Sequence, residues 1–236
     1  MSAMRKRYFT RLICRIVIFA LSIALFFWRP DELRILRGLN FFKKFSPLHL
    51  LWGVWVFDMI CQIVPVSRRI ALGSRKLFRE CFRPARGKIN SRDLRSYIVS
   101  ATRSAYSVII LWTALLAVLG TLYYTDIIAD SILFLISVGF YVCDLICVLI
   151  WCPFRILLST RCCTTCRIFN WDHFMMFSPM VFIGGFFALS LFALAVAALV
   201  LWEVNLALHP ERFCEHSNIA LRCSECTDRL CARPRG

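Results

Sequence analysis

The sequence predicts an all-α protein, a polytopic transmembrane helix bundle with five spans, or four if the first lies in the interface. Three observations predict it. The 236 residues are 59% apolar and only 18% charged, whereas soluble domains are close to a quarter charged. Mean hydropathy is +0.67. The apolar residues gather in five runs, each long enough to cross ~30 Å of hydrocarbon, which takes about 20 helical residues. Backbone groups in lipid must be satisfied within each segment, so these runs are read as helices. The alternating pattern of a membrane barrel is missing.

The first span covers about 12–28, LICRIVIFALSIALFFW, and follows Arg5, Lys6, Arg7 and Arg11. That basic start suits a signal peptide. However, Trp28-Arg29-Pro30-Asp31 stands where a small-x-small cleavage site belongs, so the segment is read as a retained anchor. The other spans cover about 48–66, 105–124, 132–152 and 178–202. Residues 1–66 form the N-terminal tail and spans one and two, and 67–104 a basic loop. Residues 105–204 carry spans three to five with a Cys-rich loop at 159–176, and 205–236 form a Cys-rich tail.

Cation bias orients the chain. Eighteen Lys and Arg fall in the N-terminal tail, the 67–104 loop and the segment after span four, against ten on the other side. The N-terminus and the 67–104 loop are therefore expected in the cytoplasm and the C-terminal tail outside. Five cations in 29–47 resist this assignment, and Arg15, at the edge of span one, is counted on neither side. Trp28, Trp151 and Trp202, joined by Trp171, are read as aromatic-belt anchors.

In the loop, Ser74 can cap a short helix that Pro84 stops, with Leu77, Phe78, Cys81 and Phe82 on one face. Arg75, Lys76 and Arg79 around that face suit contact with anionic headgroups. The plainer reading is topogenic charge. No nucleic-acid-binding module accompanies the cations, so no nucleic-acid partner is expected.

Asp58 and Asp144 lie near the middle of spans two and four. A carboxylate there costs about 2.5–3.5 kcal/mol on the insertion scale, so both should face the bundle interior. Each opens a D-x-x-C motif, Asp58 to Cys61 and Asp144 to Cys147, with Cys143 preceding the second acid. The i, i+3 spacing puts acid and thiol on one face. Both motifs run on to a proline and then an arginine, which fits a degenerate parallel repeat, or chance in a restricted alphabet. These groups suit cation binding or proton relay. Structural hydrogen bonding between helices is the alternative.

Thirteen cysteines are an odd number, so one thiol at least has no internal partner. Cys162, Cys163 and Cys166 form C-C-x-x-C, and Asp172 or His173 can complete a four-ligand shell. Thiolates favour zinc or iron. Arg161 and Arg167 beside them raise thiol reactivity. In the tail, Cys214, Cys223, Cys226 and Cys231 stand within 18 residues, near His209 and His216. They read as disulfides outside the cell or as a metal site inside. Gly184-Gly185 in span five is read as close-packing material.

The stretches CDLICVLIWCPFR, CCTTCRIFNWDH and HPERFCEHSN…CSECTDRLC resemble an uncharacterised group of cysteine-rich, multispanning bacterial membrane proteins. The resemblance implies a bacterial inner-membrane location and no particular chemistry. Walker A, H-E-x-x-H, G-x-S-x-G and G-x-G-x-x-G motifs are missing, so the sequence leans away from an enzyme. Three readings remain: a zinc- or iron-handling membrane protein, a transmembrane thiol–disulfide oxidoreductase, or a scaffold subunit. Anionic lipid is the expected partner, and further copies of the chain an open assembly.

Overall fold

The computed structural model describes residues 3–63, 82–85, 91–154, 168–222 and 224. Among them the protein is an all-α bundle without strands, built from α1 (Ala3–Trp28), α2 (Pro47–Ile63), α3 (Ser91–Tyr124), α4 (Asp130–Leu149), α5 (Asp172–Phe177) and α6 (Phe186–Leu208). α1, α3, α4 and α6 are long and apolar enough to cross a membrane, which fits a multi-pass membrane protein. The first expected span is thus a full-length helix of 26 residues. Of the second expected span, 48–66, the described residues form α2 as far as Ile63.

The outer surface follows the same logic. α1 exposes Ile13, Val17 and Leu21, and α3 exposes Ile110, Leu111 and Val118. In water such contiguous apolar faces invite association, whereas lipid matches them. Trp28 and Trp151 are exposed at opposite ends of the bundle, as belt anchors should be. Trp202 and Trp171 are corrected: both are buried, and Trp171 Nε1 donates to Glu203 at 2.9 Å.

α1 lies antiparallel to α4. Tyr8 and Leu12 meet Val148 and Leu149, and Phe19 packs at Gly139. Around Trp55 of α2 an aromatic core forms, with ring centroids 5.1 Å from Phe177, 5.7 Å from Tyr141 and 6.2 Å from Phe134 and Phe187.

At the Trp28 end, the linker between α1 and α2 folds inward as a 3-10 turn, Pro30–Leu36, burying Leu33, Ile35 and Leu36. The cations that resisted the sidedness count are partly matched here. Arg37 binds Asp130, Lys44 binds Glu32 at 3.3 Å and Arg34 binds Asp31 at 3.1 Å.

The fifth expected span is corrected. Residues 178–202 are not one helix: Ser178–Ile183 is a 3-10 segment, Gly184 turns with φ +71°, and α6 begins after Gly185. A Cβ on Gly185 would lie 1.8 Å from the Leu36 carbonyl oxygen, so only glycine permits this approach. Phe186 N–H then donates to Gly38 O at 2.9 Å. Residues 168–183 therefore form a crossing of their own, from the level of Glu203 to the Trp28 end. Its mixture of 3-10 and α turns extends about 29 Å, against ~24 Å for a pure α-helix of that length. Non-helical backbone at such depth requires protein on all sides, and Met176, Phe177, Ser178 and Met180 are buried.

That extra crossing reverses α6, and the expected topology is corrected with it. The tail was expected opposite the 67–104 loop; instead the two meet at the Trp151 end. Ala85 N–H donates to Ser217 O at 3.0 Å and Ile219 N–H to Arg83 O at 2.9 Å. The last part of that loop, from Ser91 on, is helical and continuous with the third span in α3.

Candidate functional site: an arginine between two aspartates

Arg15, Asp58 and Asp144 lie about 20, 17 and 21 Å from the Trp28 end of their helices, counted by the 1.5 Å rise of α1, α2 and α4. Equal depth on three adjacent helices lets them meet. Arg15 Nη1 donates to Asp144 Oδ2 and to the Tyr141 carbonyl, each at 2.6 Å. Its Nη2 faces Asp58 Oδ2 at 3.4 Å. The guanidinium lies over the Tyr141 ring, 3.8 Å from the centroid, where the π face supplies further negative potential. Arg15 is buried, 8% exposed.

α5 brings a second pair to this place. Asp172 Oδ1 lies 2.7 Å from His173 Nδ1 and accepts the His173 backbone N–H at 2.6 Å. The other imidazole nitrogen, Nε2, is buried without a hydrogen-bond partner and lies 4.0 Å from Asp58 Oδ2. Two tight pairs, Arg15–Asp144 and His173–Asp172, thus flank one loosely held carboxylate. Three carboxylates face one guanidinium and one imidazole, so a negative charge is left over even when the imidazole is protonated. The next cation along α1, Arg11, is exposed beside the Tyr8 ring.

The sequence expectations fare unequally. Asp58 and Asp144 converge, and α2 and α4 run in the same direction, as a parallel repeat requires. Their thiols do not converge: Cys61 is buried, Cys143 is exposed, and Cys147 is half-buried. Cys147 instead engages Cys152 in a side-chain hydrogen bond. α4 ends at Leu149, and the turn that follows, with Trp151 N–H on Ile146 O at 3.0 Å, folds Cys152 back. Asp172 and His173 face each other and Asp58. Among the described residues no group of three or more His, Cys, Asp or Glu is arranged to hold a metal ion. Cys162, Cys163, Cys166, Cys223, Cys226, Cys231, Arg75, Lys76 and Arg79 lie outside the described residues. Cys214 is buried as a free thiol, 1% exposed, in the turn where Asn218 N–H donates to its carbonyl at 2.9 Å.

The residue that sequence reasoning missed is Arg15, placed at a span edge when it stands at the centre of α1. A signal for it exists. Two acids at mid-span depth require a cation from a neighbouring span, and Arg15 is a cation inside the apolar run from Leu12 to Trp28. Comparison of the chain with protein-family models, with curated proteins and with solved structures finds no match.

Proposed function

We propose that this chain is a proton-coupled membrane carrier in which Asp58 is the carboxylate that takes up and releases the proton. One observation carries the reading: Asp58 sits between two cations, 3.4 Å from Arg15 and 4.0 Å from His173, while the other two carboxylates are tightly paired. Asp58 is also the most accessible of the three carboxylates, 27% exposed against 16% for Asp144 and 12% for Asp172, so a proton can reach it, and a proton there cancels the charge left over in the cluster. Uptake frees Arg15 Nη2 and weakens the hold of α1 on α2. Release restores it.

The test is proton uptake by liposomes containing the purified chain under an imposed potential, read with an internal pH dye. Asp58→Asn should abolish uptake, whereas Asp31→Asn, an acid 80% exposed at the Trp28 end, should leave it intact. Uptake unchanged in Asp58→Asn sinks the reading.

One observation favours a second reading, thiol–disulfide exchange: the hydrogen-bonded pair Cys147 and Cys152. Oxidised by a disulfide reagent, the two thiols would form one intramolecular disulfide and release two reagent thiols. Resistance of this pair to such oxidation argues against exchange. The zinc or iron reading rests on the spacing of Cys162, Cys163 and Cys166. Elemental analysis of anaerobically purified protein, with Cys163→Ser as the comparison, tests it.

A further inference from the structure

Away from the charged centre, α3 and α6 separate into a cleft made of two adjoining cavities of about 360 and 600 Å³ that share Thr102 and Glu203. The inner cavity is apolar, with Trp112, Leu116, Phe174 and Leu199 in its wall. The outer one carries Arg95 and Glu211 beside Glu203, with Leu94, Ile98 and Pro210 between them. Volumes of this size are those of ordinary ligand sites.

The change from apolar to charged lining falls at a particular depth. α3 reaches the Trp28 end at Tyr124, and Thr102 stands about 33 Å along the helix from there, where ~30 Å of hydrocarbon gives way to headgroups. The buried Trp171 donates to Glu203 at 2.9 Å, so a polar group already stands at this level. The inner cavity thus lies at acyl-chain depth and the outer one at headgroup depth.

We propose that this cleft is a phospholipid site selective for a primary-amine headgroup. An acyl chain runs along Trp112 and Leu116. The headgroup ammonium donates to Glu203 and Glu211, and its phosphate faces Arg95. Arg95 beside two carboxylates, one of which also faces His209 Nδ1 at 3.4 Å, complements a zwitterion whose positive end carries N–H donors. A quaternary ammonium has no N–H to give, and an anionic headgroup would meet two like charges. This inference is independent of proton exchange at Asp58.

Native mass spectrometry of the full chain, exchanged into mixed micelles, reads the selectivity directly with phosphatidylethanolamine, phosphatidylcholine and phosphatidylglycerol of matched chains as probes. Phosphatidylethanolamine should be retained about ten-fold over phosphatidylcholine, the ratio expected of a charge-assisted hydrogen bond. Glu203→Gln keeps an acceptor for Trp171, and combined with Glu211→Gln it should bring the ratio close to one. Leu116→Trp, which fills the tail cavity, should lower retention of every lipid. Equal retention of the amine and choline lipids by the parent chain overturns the proposal. So does amine selectivity that survives the double variant, or preference for phosphatidylglycerol.

Discussion

Two arginine–aspartate pairs stand in this molecule under opposite conditions. Arg37 and Asp130 meet at the Trp28 end, where the Arg37 side chain is 68% exposed and Tyr123 also donates to Asp130 at 2.9 Å. Arg15 and Asp144 meet in the bundle centre, where the Arg15 side chain is 9% exposed. The chemistry is alike and the solvent is not. When the first pair is broken, water takes over the exposed Arg37 and Tyr123 still donates to Asp130, itself only 14% exposed, so the pair contributes little. In the centre nothing replaces the lost partner, and the remaining charge is stranded. The buried pair therefore specifies which helices meet and at what depth, while the exposed pair adjusts an arrangement already made.

The largest expected effect follows from stranding. Arg15→Leu leaves the half-buried Asp144 and Asp58 at mid-depth without their guanidinium and should cost about 2–4 kcal/mol, measured by unfolding in detergent. The same substitution at Arg37 should cost less than about 1 kcal/mol. Equal losses at the two sites would break the comparison. Adding Asp58→Asn and Asp144→Asn to Arg15→Leu should recover most of the deficit, because neutral side chains carry no charge to strand.

Shape rather than charge holds the Trp28 end, and Gly185 tests this. Gly185→Ala drives a Cβ into the Leu36 backbone and should cost about 1–3 kcal/mol. Gly53→Ala, where a Cβ meets nothing within 4 Å, should be neutral or slightly stabilising in the same unfolding experiment.

Salt gives a smaller, sharper reading. Between ~0.05 and ~1 M salt the stability difference between the parent chain and Arg37→Leu should vanish, as screening of an exposed pair requires. The difference for Arg15→Leu should persist. A salt-sensitive Arg15 would mean that water reaches the centre.

The smallest effect is a pH dependence at Glu32, whose carboxyl is held below the usual carboxylate range first by the Ser46 hydroxyl and then by Lys44. A lowered folded value stabilises the native state above the unfolded value of about 4.3, and the contribution is lost as pH falls through the folded value. Glu32→Gln should therefore flatten the acid limb of the stability profile. A profile identical to that of the parent chain would show that this contact contributes nothing.

Much of the candidate site was legible along the chain. Asp58 and Asp144 announce themselves as acids inside apolar runs, because that placement is costly for any sequence. Arg15 was not read as their partner, since a cation a few residues inside a span end passes for a flanking charge until the true helix start, Ala3, is known. His173 and Asp172 read as companions of the C-C-x-x-C group because sequence proximity stands in for spatial proximity. The structure adds a neighbour that no sequence proximity announces: His173 Nε2 lies 4.0 Å from Asp58, more than a hundred residues away.

Composition and hydropathy by themselves determined the helical, lipid-matched class of this protein and the depth at which its acids lie. Each is a local property of a few consecutive residues. The tertiary structure alone decided that 168–183 makes a separate crossing, that the tail meets the loop at the Trp151 end, and that one guanidinium serves two carboxylates. These depend on which helices pack together. That choice is made by summed burial and charge matching over residues distant in the chain, where no local pattern carries the information.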